Sequence, residues 1–172
     1  MPELLEKLQG GDLKSLGKVP EVIEEIGENQ DKFDEVFDGI FTPDPVIRKR
    51  AATAVEKISQ KHPDLLRPHK KLLLKHLPKI KQHEVKWNLA QTLPRLKMSR
   101  NERSYTIDIL LYWLRTEMKS KNVMLHCMEA LAQLAQNDLF LQKEVVLEIE
   151  FQSHSGNTAV KASAQKILKD MK

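Results

Sequence analysis

The chain contains a single cysteine, Cys127, and only 5% aromatic residues. One thiol excludes an intramolecular disulfide, which favours a reducing compartment, and we expect a cytoplasmic location. The longest unbroken apolar run, Ile109 to Leu114, is far shorter than the roughly 20 residues that a membrane-spanning helix needs. The N-terminal segment also lacks a basic stretch followed by an apolar one, so we expect neither a secretory signal nor a membrane partner.

Signatures of catalysis are equally scarce. The six glycines are scattered, so no phosphate-binding loop is formed, and a single cysteine excludes a Cys-x-x-Cys pair. His83 and Glu84 begin a zinc-protease motif, but Trp87 stands where its second histidine would be needed. Four histidines recur every seven residues: His62, His69, His76 and His83. His69 and His76 could share one face of a helix but lie two turns apart, too far to bind one metal. His62 and His83 fall outside that helix, beyond Pro63 and Pro78. We expect no catalytic residues, no metal and no cofactor, and hence no enzyme.

What the chain does have is charge, distributed unevenly. Charged residues make up 30% of the sequence, and the net charge is +4. Residues 1–45, 46–125 and 126–172 carry net charges of −8, +13 and −1. A basic middle segment favours an anionic partner, although solvated lysines on the outer faces of helices would give the same composition.

An internal repeat is the strongest pattern in the sequence. Apolar or small residues recur at offsets 0, +4, +7, +8 and +11, which places them on one face of a helix. Four segments fit, beginning at Ile47, Val85, Val123 and Val160, which are 38, 38 and 37 residues apart. Cys127 and Leu131 occupy core positions of the third segment. We therefore expect four buried helices of one kind.

A second apolar pattern precedes each of these segments and has a period of 37 residues. Its pairs are Val36 and Ile40, Leu73 and Leu77, Leu110 and Leu114, Leu147 and Phe151. Residues that stop helices and form turns separate the two patterns in each unit. Asp44, Ser120 and Asn157 precede the second helices at positions where a side-chain oxygen can cap free N–H groups. Pro94 interrupts the second segment and should end its regular turns early.

The segments DPVIRKRAATAVEKI, HEVKWNLAQTLPRL, KNVMLHCMEALAQLA and NTAVKASAQKILKDM resemble second helices of HEAT repeats. The family pattern is met best from Asp44 to Val55, whereas Gln82 departs from it at the cap position. The resemblance implies an all-α, right-handed α-solenoid in one domain over 1–172. We expect a helical cap at 1–30, formed by an acidic stretch with an apolar face, followed by helix-pair repeats at 31–60, 64–97, 101–136 and 138–172.

In HEAT-like folds the second helices line the concave side, so the resemblance also implies a binding surface. Trp87 is notable there, because an aromatic residue off the core face among Arg, Lys, Asn and Gln has the composition of an interaction hot spot. The alternative is that Trp87 packs against a neighbouring helix. The predicted partner-binding residues are Lys49, Arg50, Thr53, Trp87, Asn88, Gln91, Arg95, His126 and Glu129. With Arg50 at the surface, its truncation should change stability by about 0.5 kcal/mol or less.

Two functions remain in competition at this point. The resemblance favours a protein–protein interaction scaffold or adaptor that binds a partner along the concave face. The alternative is nucleic-acid binding through the basic segment 46–125, with the strong salt dependence of phosphate contacts. For the oligomeric state we expect a monomer or a weak homodimer, since the ends of a helical solenoid can associate.

Overall fold

The computed structural model describes residues 1–171, which contain ten α-helices and no β-strand. The helices are α1 (Glu3–Lys7), α2 (Val19–Ile26), α3 (Gln30–Asp38), α4 (Pro45–Lys61), α5 (Lys70–His76), α6 (His83–Thr92), α7 (Arg100–Thr116), α8 (Lys121–Leu134), α9 (Leu139–Gln152) and α10 (Thr158–Met171). The chain forms two compact units, Met1–Leu96 and a second unit from Lys97 onward. The all-α helix-pair architecture expected from the repeat is therefore present.

In the first unit, each helix pair packs against the next. Helix α1 contacts α3, α2 contacts α4, and α4 contacts α6. The core includes Phe33, Phe37, Ala51, Val55 and Leu89, all of which are buried. His69 is half-buried and its ring stacks on Phe37 with a centroid distance of 4.0 Å. His69 Nε2 also lies 2.5 Å from the Asp34 carboxylate on α3. His69 therefore has a packing role, which the regular spacing of the histidines did not indicate.

The predicted helix caps are confirmed. The Asp44 carboxylate accepts hydrogen bonds from the backbone amides of Val46 and Ile47, at 2.8 and 3.3 Å. Ser120 and Asn157 accept backbone hydrogen bonds in the same way at the starts of α8 and α10. Proline ends the regular turns of α6 as expected: the α-helix stops at Thr92, and Leu93–Arg95 forms a 3-10 turn.

Gln82, which departs from the repeat pattern, does not cap α6 but links it to the preceding repeat. Its side-chain oxygen accepts a hydrogen bond from Arg48 Nε at 2.9 Å. Its amide nitrogen donates to the carbonyl oxygen of Pro45, also at 2.9 Å. The Arg48 guanidinium also donates to the carbonyl oxygens of Thr42 and Pro43, so the two helix starts are held in register.

In the second unit, α7 packs against α8, and α10 packs against both α8 and α9. Helix α7 begins with a reciprocal capping box between Ser99 and Glu102. Cys127 and Leu131 are buried, as their positions in the repeat predicted, and Trp113 of α7 is buried with them. The core is completed by Val145 and Ile149 of α9 with Val160 and Ala164 of α10.

The expectation that Leu147 and Phe151 lie in this core is wrong, because both side chains are about two-thirds exposed. The first-helix pattern was extended with a period of 37 residues, but the caps of α7 and α9, Ser99 and Asp138, are 39 residues apart. Two extra residues rotate a helical position by about 200°. The 37-residue spacing therefore assigned Leu147 and Phe151 to the buried face of α9, whereas they lie on the opposite, exposed face.

Candidate partner-binding surface

The predicted partner-binding residues divide between the two units. In the first unit, Lys49, Arg50 and Thr53 lie on α4, and Trp87, Asn88 and Gln91 lie on α6, with Arg95 in the turn that follows. In the second unit, His126 and Glu129 lie one turn apart on α8, 3.7 Å from nitrogen to oxygen. The structure brings Thr53 and Asn88 into contact, since the Asn88 amide donates to Thr53 Oγ1 at 3.2 Å.

The assignment of Arg50 to an exposed binding surface is wrong. Its side chain is 2% exposed, and its guanidinium lies against the loop between α1 and α2. It donates hydrogen bonds to the carbonyl oxygens of Leu8 at 2.9 Å, Ser15 at 3.2 Å, Gln9 at 3.3 Å and Asp12 at 3.4 Å. Arg50 therefore clamps the N-terminal loop to α4 and cannot contact a partner.

Gly17 shows how closely the loop approaches this clamp. Its φ angle is +54°, in the left-handed region, and a Cβ added there would lie 2.8 Å from the Arg50 guanidinium. Only glycine allows both that backbone conformation and that approach. Lys49, the neighbour of Arg50, is half-buried and its ammonium contacts the carbonyl oxygen of Leu13 in the same loop.

Two more of the predicted residues, Asn88 and Thr53, are largely buried and hydrogen-bonded to each other between helices. Asn88 is buried, and its amide also donates to the carbonyl oxygen of Glu84 at 2.8 Å. Thr53 donates to the carbonyl oxygen of Lys49 at 2.9 Å and is 9% exposed. Short polar side chains between adjacent second helices satisfy each other's hydrogen-bonding groups. The sequence pattern could not distinguish such buried polar residues from exposed ones.

Arg95 joins the turn after α6 to α4. Its guanidinium donates to the carbonyl oxygen of Glu56 at 2.6 Å, to Ser59 Oγ at 3.0 Å and to the Glu56 carboxylate at 3.3 Å. Glu56 is buried, and its second carboxylate oxygen has no hydrogen-bond partner within residues 1–171. Removal of Arg95 would leave this buried carboxylate with only the Lys57 ammonium, which lies 3.8 Å from its second oxygen.

Trp87 and Gln91 remain half-exposed on α6, one turn apart. The Gln91 amide donates to the carbonyl oxygen of Trp87 at 3.2 Å. Both therefore keep surface available to a partner, as does Glu129 on α8, which is exposed.

A groove between α2 and α4, which the sequence reasoning missed, lies in the first unit and includes Thr53. Its volume is about 600 Å³. Its apolar lining includes Leu16, Val19, Ile23 and Ile58, and its polar lining includes Glu24, Thr53, Lys57, Lys61 and His62. Leu16, which forms part of this apolar lining, is 46% exposed.

The sequence concealed this groove because residues 1–30 were interpreted as a cap with a polar outer face. The signal that could have revealed it was Ile23, which lies beside Val19 and Val22 on the predicted apolar face of α2. That face is wider than packing against α4 requires: Val19 and Val22 are buried, but Ile23 is only half-buried. The surplus apolar surface lines the groove.

The described part of the chain shows neither a metal site nor a membrane-spanning helix. Residues 1–171 contain no group of three or more His, Cys, Asp or Glu side chains placed to hold a metal ion. No helix within those residues is long and apolar enough to span a bilayer. The described surface offers a groove, half-exposed polar and aromatic side chains, and exposed lysines.

Paired helices stacked in succession, with second helices that carry the aligned core pattern, define an all-α repeat protein. The family model of the HEAT repeat domain matches residues 7–171, and the chain belongs to this family. HEAT-repeat domains generally mediate protein–protein interactions and are typically not enzymes. Comparisons with curated proteins and with solved structures gave no significant match.

Proposed function

We propose that this protein is a protein–protein interaction scaffold or adaptor, and that the groove between α2 and α4 holds a segment of its partner. The observation that carries the proposal is the groove itself, about 600 Å³ in volume, with apolar residues in its lining and lysines at its edge. Apolar concavities with a few directed polar groups are the usual form of a binding site.

The charges at the groove specify the kind of segment that fits. Lys57 and Lys61 are exposed on α4, and His62 follows them at the end of that helix; they outnumber Glu24, the acidic residue of the lining. The apolar lining would accept aliphatic or aromatic side chains, and the lysines would attract carboxylates next to them. We therefore propose a partner segment that combines apolar anchors with acidic residues.

Trp87 and Gln91 on α6 extend the proposed surface beyond the groove. A half-exposed tryptophan contributes a large apolar area with little conformational freedom to lose, which is why such residues carry much of the energy of many interfaces. Of the predicted residues in the first unit, Lys49, Thr53, Trp87, Gln91 and Arg95 stay in the proposal, whereas Arg50 and Asn88 serve packing. His126 and Glu129 stay as a proposed contact in the second unit.

The test begins with peptides selected for binding to the wild-type protein from a displayed library, followed by calorimetric titration of the best sequences. We expect apolar–acidic peptides. The variants L16E and K57E should each weaken peptide binding at least about tenfold. L16E places a charge in the apolar lining, and K57E replaces an attractive charge by a repulsive one. W87A should weaken a longer partner more than a short peptide.

Leu72 provides a matched control, because it is an exposed leucine on α5 that does not line the groove. L72E should leave peptide binding unchanged. Selected peptides that bind L16E and K57E as tightly as wild type would refute the groove as the site.

Nucleic-acid binding remains the competing proposal, supported by exposed lysines of the basic segment on and after α5. They are Lys71, Lys75, Lys79 and Lys81. If K71E/K75E abolishes binding of a single-stranded or double-stranded oligonucleotide and no peptide is selected, the competing proposal would replace the leading one. Its signature would be a steep loss of affinity with added salt.

A further inference from the structure

Helix α9 has apolar residues on two faces. Leu141, Val145 and Ile149 face the core of the second unit. Phe140, Leu147 and Phe151 are 71%, 67% and 68% exposed. Their spacing of 7 and 4 residues places them in one line along the helix, the seam pattern of a coiled coil. Glu144 falls on the same line, but its carboxylate lies 3.6 Å from the Arg115 guanidinium on α7. We call Phe140, Glu144, Leu147 and Phe151 the α9 seam.

The charges beside the α9 seam indicate what covers it. Lys143 and Glu150 are both exposed, flank the seam on the same side, and lie seven residues apart. Neither forms an ion pair within residues 1–171. In an antiparallel pair of helices, flanking positions on the same side face each other across the seam. A second α9 in that orientation would bring the Lys143 of each copy near the Glu150 of the other, giving two equivalent ion pairs.

The apolar residues have the same self-complementarity. Phe140 and Phe151 stand near the two ends of the seam, 11 residues or about 16 Å apart. An antiparallel second copy places Phe140 of one chain across from Phe151 of the other, and the reverse pair forms at the same time. Such reciprocity is what a two-fold symmetric interface requires.

We propose that the α9 seam is a homodimerisation surface on which a second copy of this chain packs its own α9 antiparallel. The three apolar side chains expose on the order of 400 Å², less than the roughly 800 Å² per partner of a standard interface. The dimer should therefore be weak and should depend on protein concentration. None of these residues lines the groove between α2 and α4, so the proposal is independent of the peptide-binding function.

The test is sedimentation equilibrium of the full chain over a range of concentrations. We expect wild type to form dimers, L147E to weaken dimerisation at least tenfold, and the groove variant L16E to leave it unchanged. Leu72 supplies the matched control, because it is an exposed leucine on α5, which belongs to the first unit. L72E should dimerise like wild type. Matching circular dichroism spectra and melting temperatures would show that each variant is folded.

Charge reversal tests the antiparallel orientation separately. K143E and E150K should each weaken the dimer severalfold, because both place like charges across the seam. The double variant K143E/E150K should restore the wild-type dissociation constant to within about twofold, since the opposite pairs form again. A wild-type protein that is monomeric at every concentration, a dimer insensitive to L147E, or a double variant that fails to recover would each overturn the proposal.

Discussion

Arg50 in the first unit and Arg100 and Arg115 in the second bind opposite kinds of partner. In the first unit, Arg50 is buried and binds only backbone carbonyl oxygens, those of Leu8, Gln9, Asp12 and Ser15. In the second unit, Arg100 and Arg115 are exposed and bind carboxylates of the next helix pair. Arg100 Nε lies 2.8 Å from Asp138, and Arg115 Nε lies 2.9 Å from Glu148.

The difference determines how each unit should respond to solution conditions. A buried cation bound to carbonyl oxygens has no titrating partner and little contact with salt, so its contribution should be large and insensitive to pH and ionic strength. Surface pairs with carboxylates are individually weak and screened by salt. The hydrogen bonds to Asp138 and Glu148 are the main cause of the raised pKa values of Arg100 and Arg115.

Truncation of a buried leucine should give the largest loss of stability, and this loss should be similar in the two units because both have a hydrophobic core. Leu93 and Leu131 occupy the same position of the repeat and are fully buried. We expect L93A and L131A each to lower the free energy of unfolding by about 2–5 kcal/mol. Urea denaturation measures this. If either variant loses less than the exposed control L72A, the repeat register is wrong in that unit.

Truncation of the buried arginine should come next. We expect R50A to cost about 2–3 kcal/mol, because several buried carbonyl oxygens lose their donor and the N-terminal loop loses its attachment. The same loss should appear at low and high salt. K61A, an exposed lysine at the end of the same helix, should change stability by about 0.5 kcal/mol or less. Equal effects of R50A and K61A would contradict the clamp.

Asp138 should give the second unit a pH dependence that the clamp lacks. The Arg100 guanidinium, followed by the backbone amides of α9, lowers the pKa of the Asp138 carboxyl below its usual value of 3.8. A lowered folded-state pKa stabilises the protein above the unfolded-state pKa, and this stabilisation is lost as the pH falls through the folded-state value.

The variant D138N tests this, since asparagine still caps a helix but carries no charge. We expect its melting temperature to be a few degrees below that of wild type at neutral pH, with the difference fading below about pH 4. Thermal melts followed by circular dichroism would show it. The exposed aspartate of α7 supplies the control variant, D108N. A difference that persists at low pH would mean that packing, rather than charge, explains the effect.

The smallest effect should be that of Arg115. The Arg115 side chain is about half exposed in its pairs with Glu144 and Glu148, and the Glu148 carboxylate keeps a second donor in Gln152. R115Q should therefore cost about 0.5 kcal/mol or less at low salt. Added salt at about 0.5 M should remove most of that difference, in contrast to R50A. A loss of stability that is independent of salt would show that the stem of the side chain packs against α9 and that its charge contributes little.

Much of the fold followed from local patterns. The 38-residue repeat located the second helices, and the caps at Asp44, Ser120 and Asn157 lie where short polar side chains preceded an apolar run. Both signals depend on residues a few positions apart on one helix, which is why they can be read without a structure.

The candidate surface was harder to predict, because exposure depends on what lies opposite a residue. Arg50 and Lys57 both occupy positions off the core face of α4, but only Arg50 meets the loop between α1 and α2. No pattern within α4 distinguishes the two. Leu147 and Phe151 of the α9 seam were assigned to the core for a related reason. A two-residue change in repeat spacing leaves the apolar periodicity intact but exchanges the buried and exposed faces of the helix.

The sequence by itself determined that the chain is all helical, that its helices come in repeating pairs, and that it belongs among HEAT-like proteins, because helical periodicity and capping are local properties. The tertiary structure alone decided that Arg50 is a clamp, that α2 and α4 form a groove, and that the apolar residues of the α9 seam stay largely exposed. Those properties depend on contacts between residues distant in the chain, where the approach of one segment changes the solvation and charge of another.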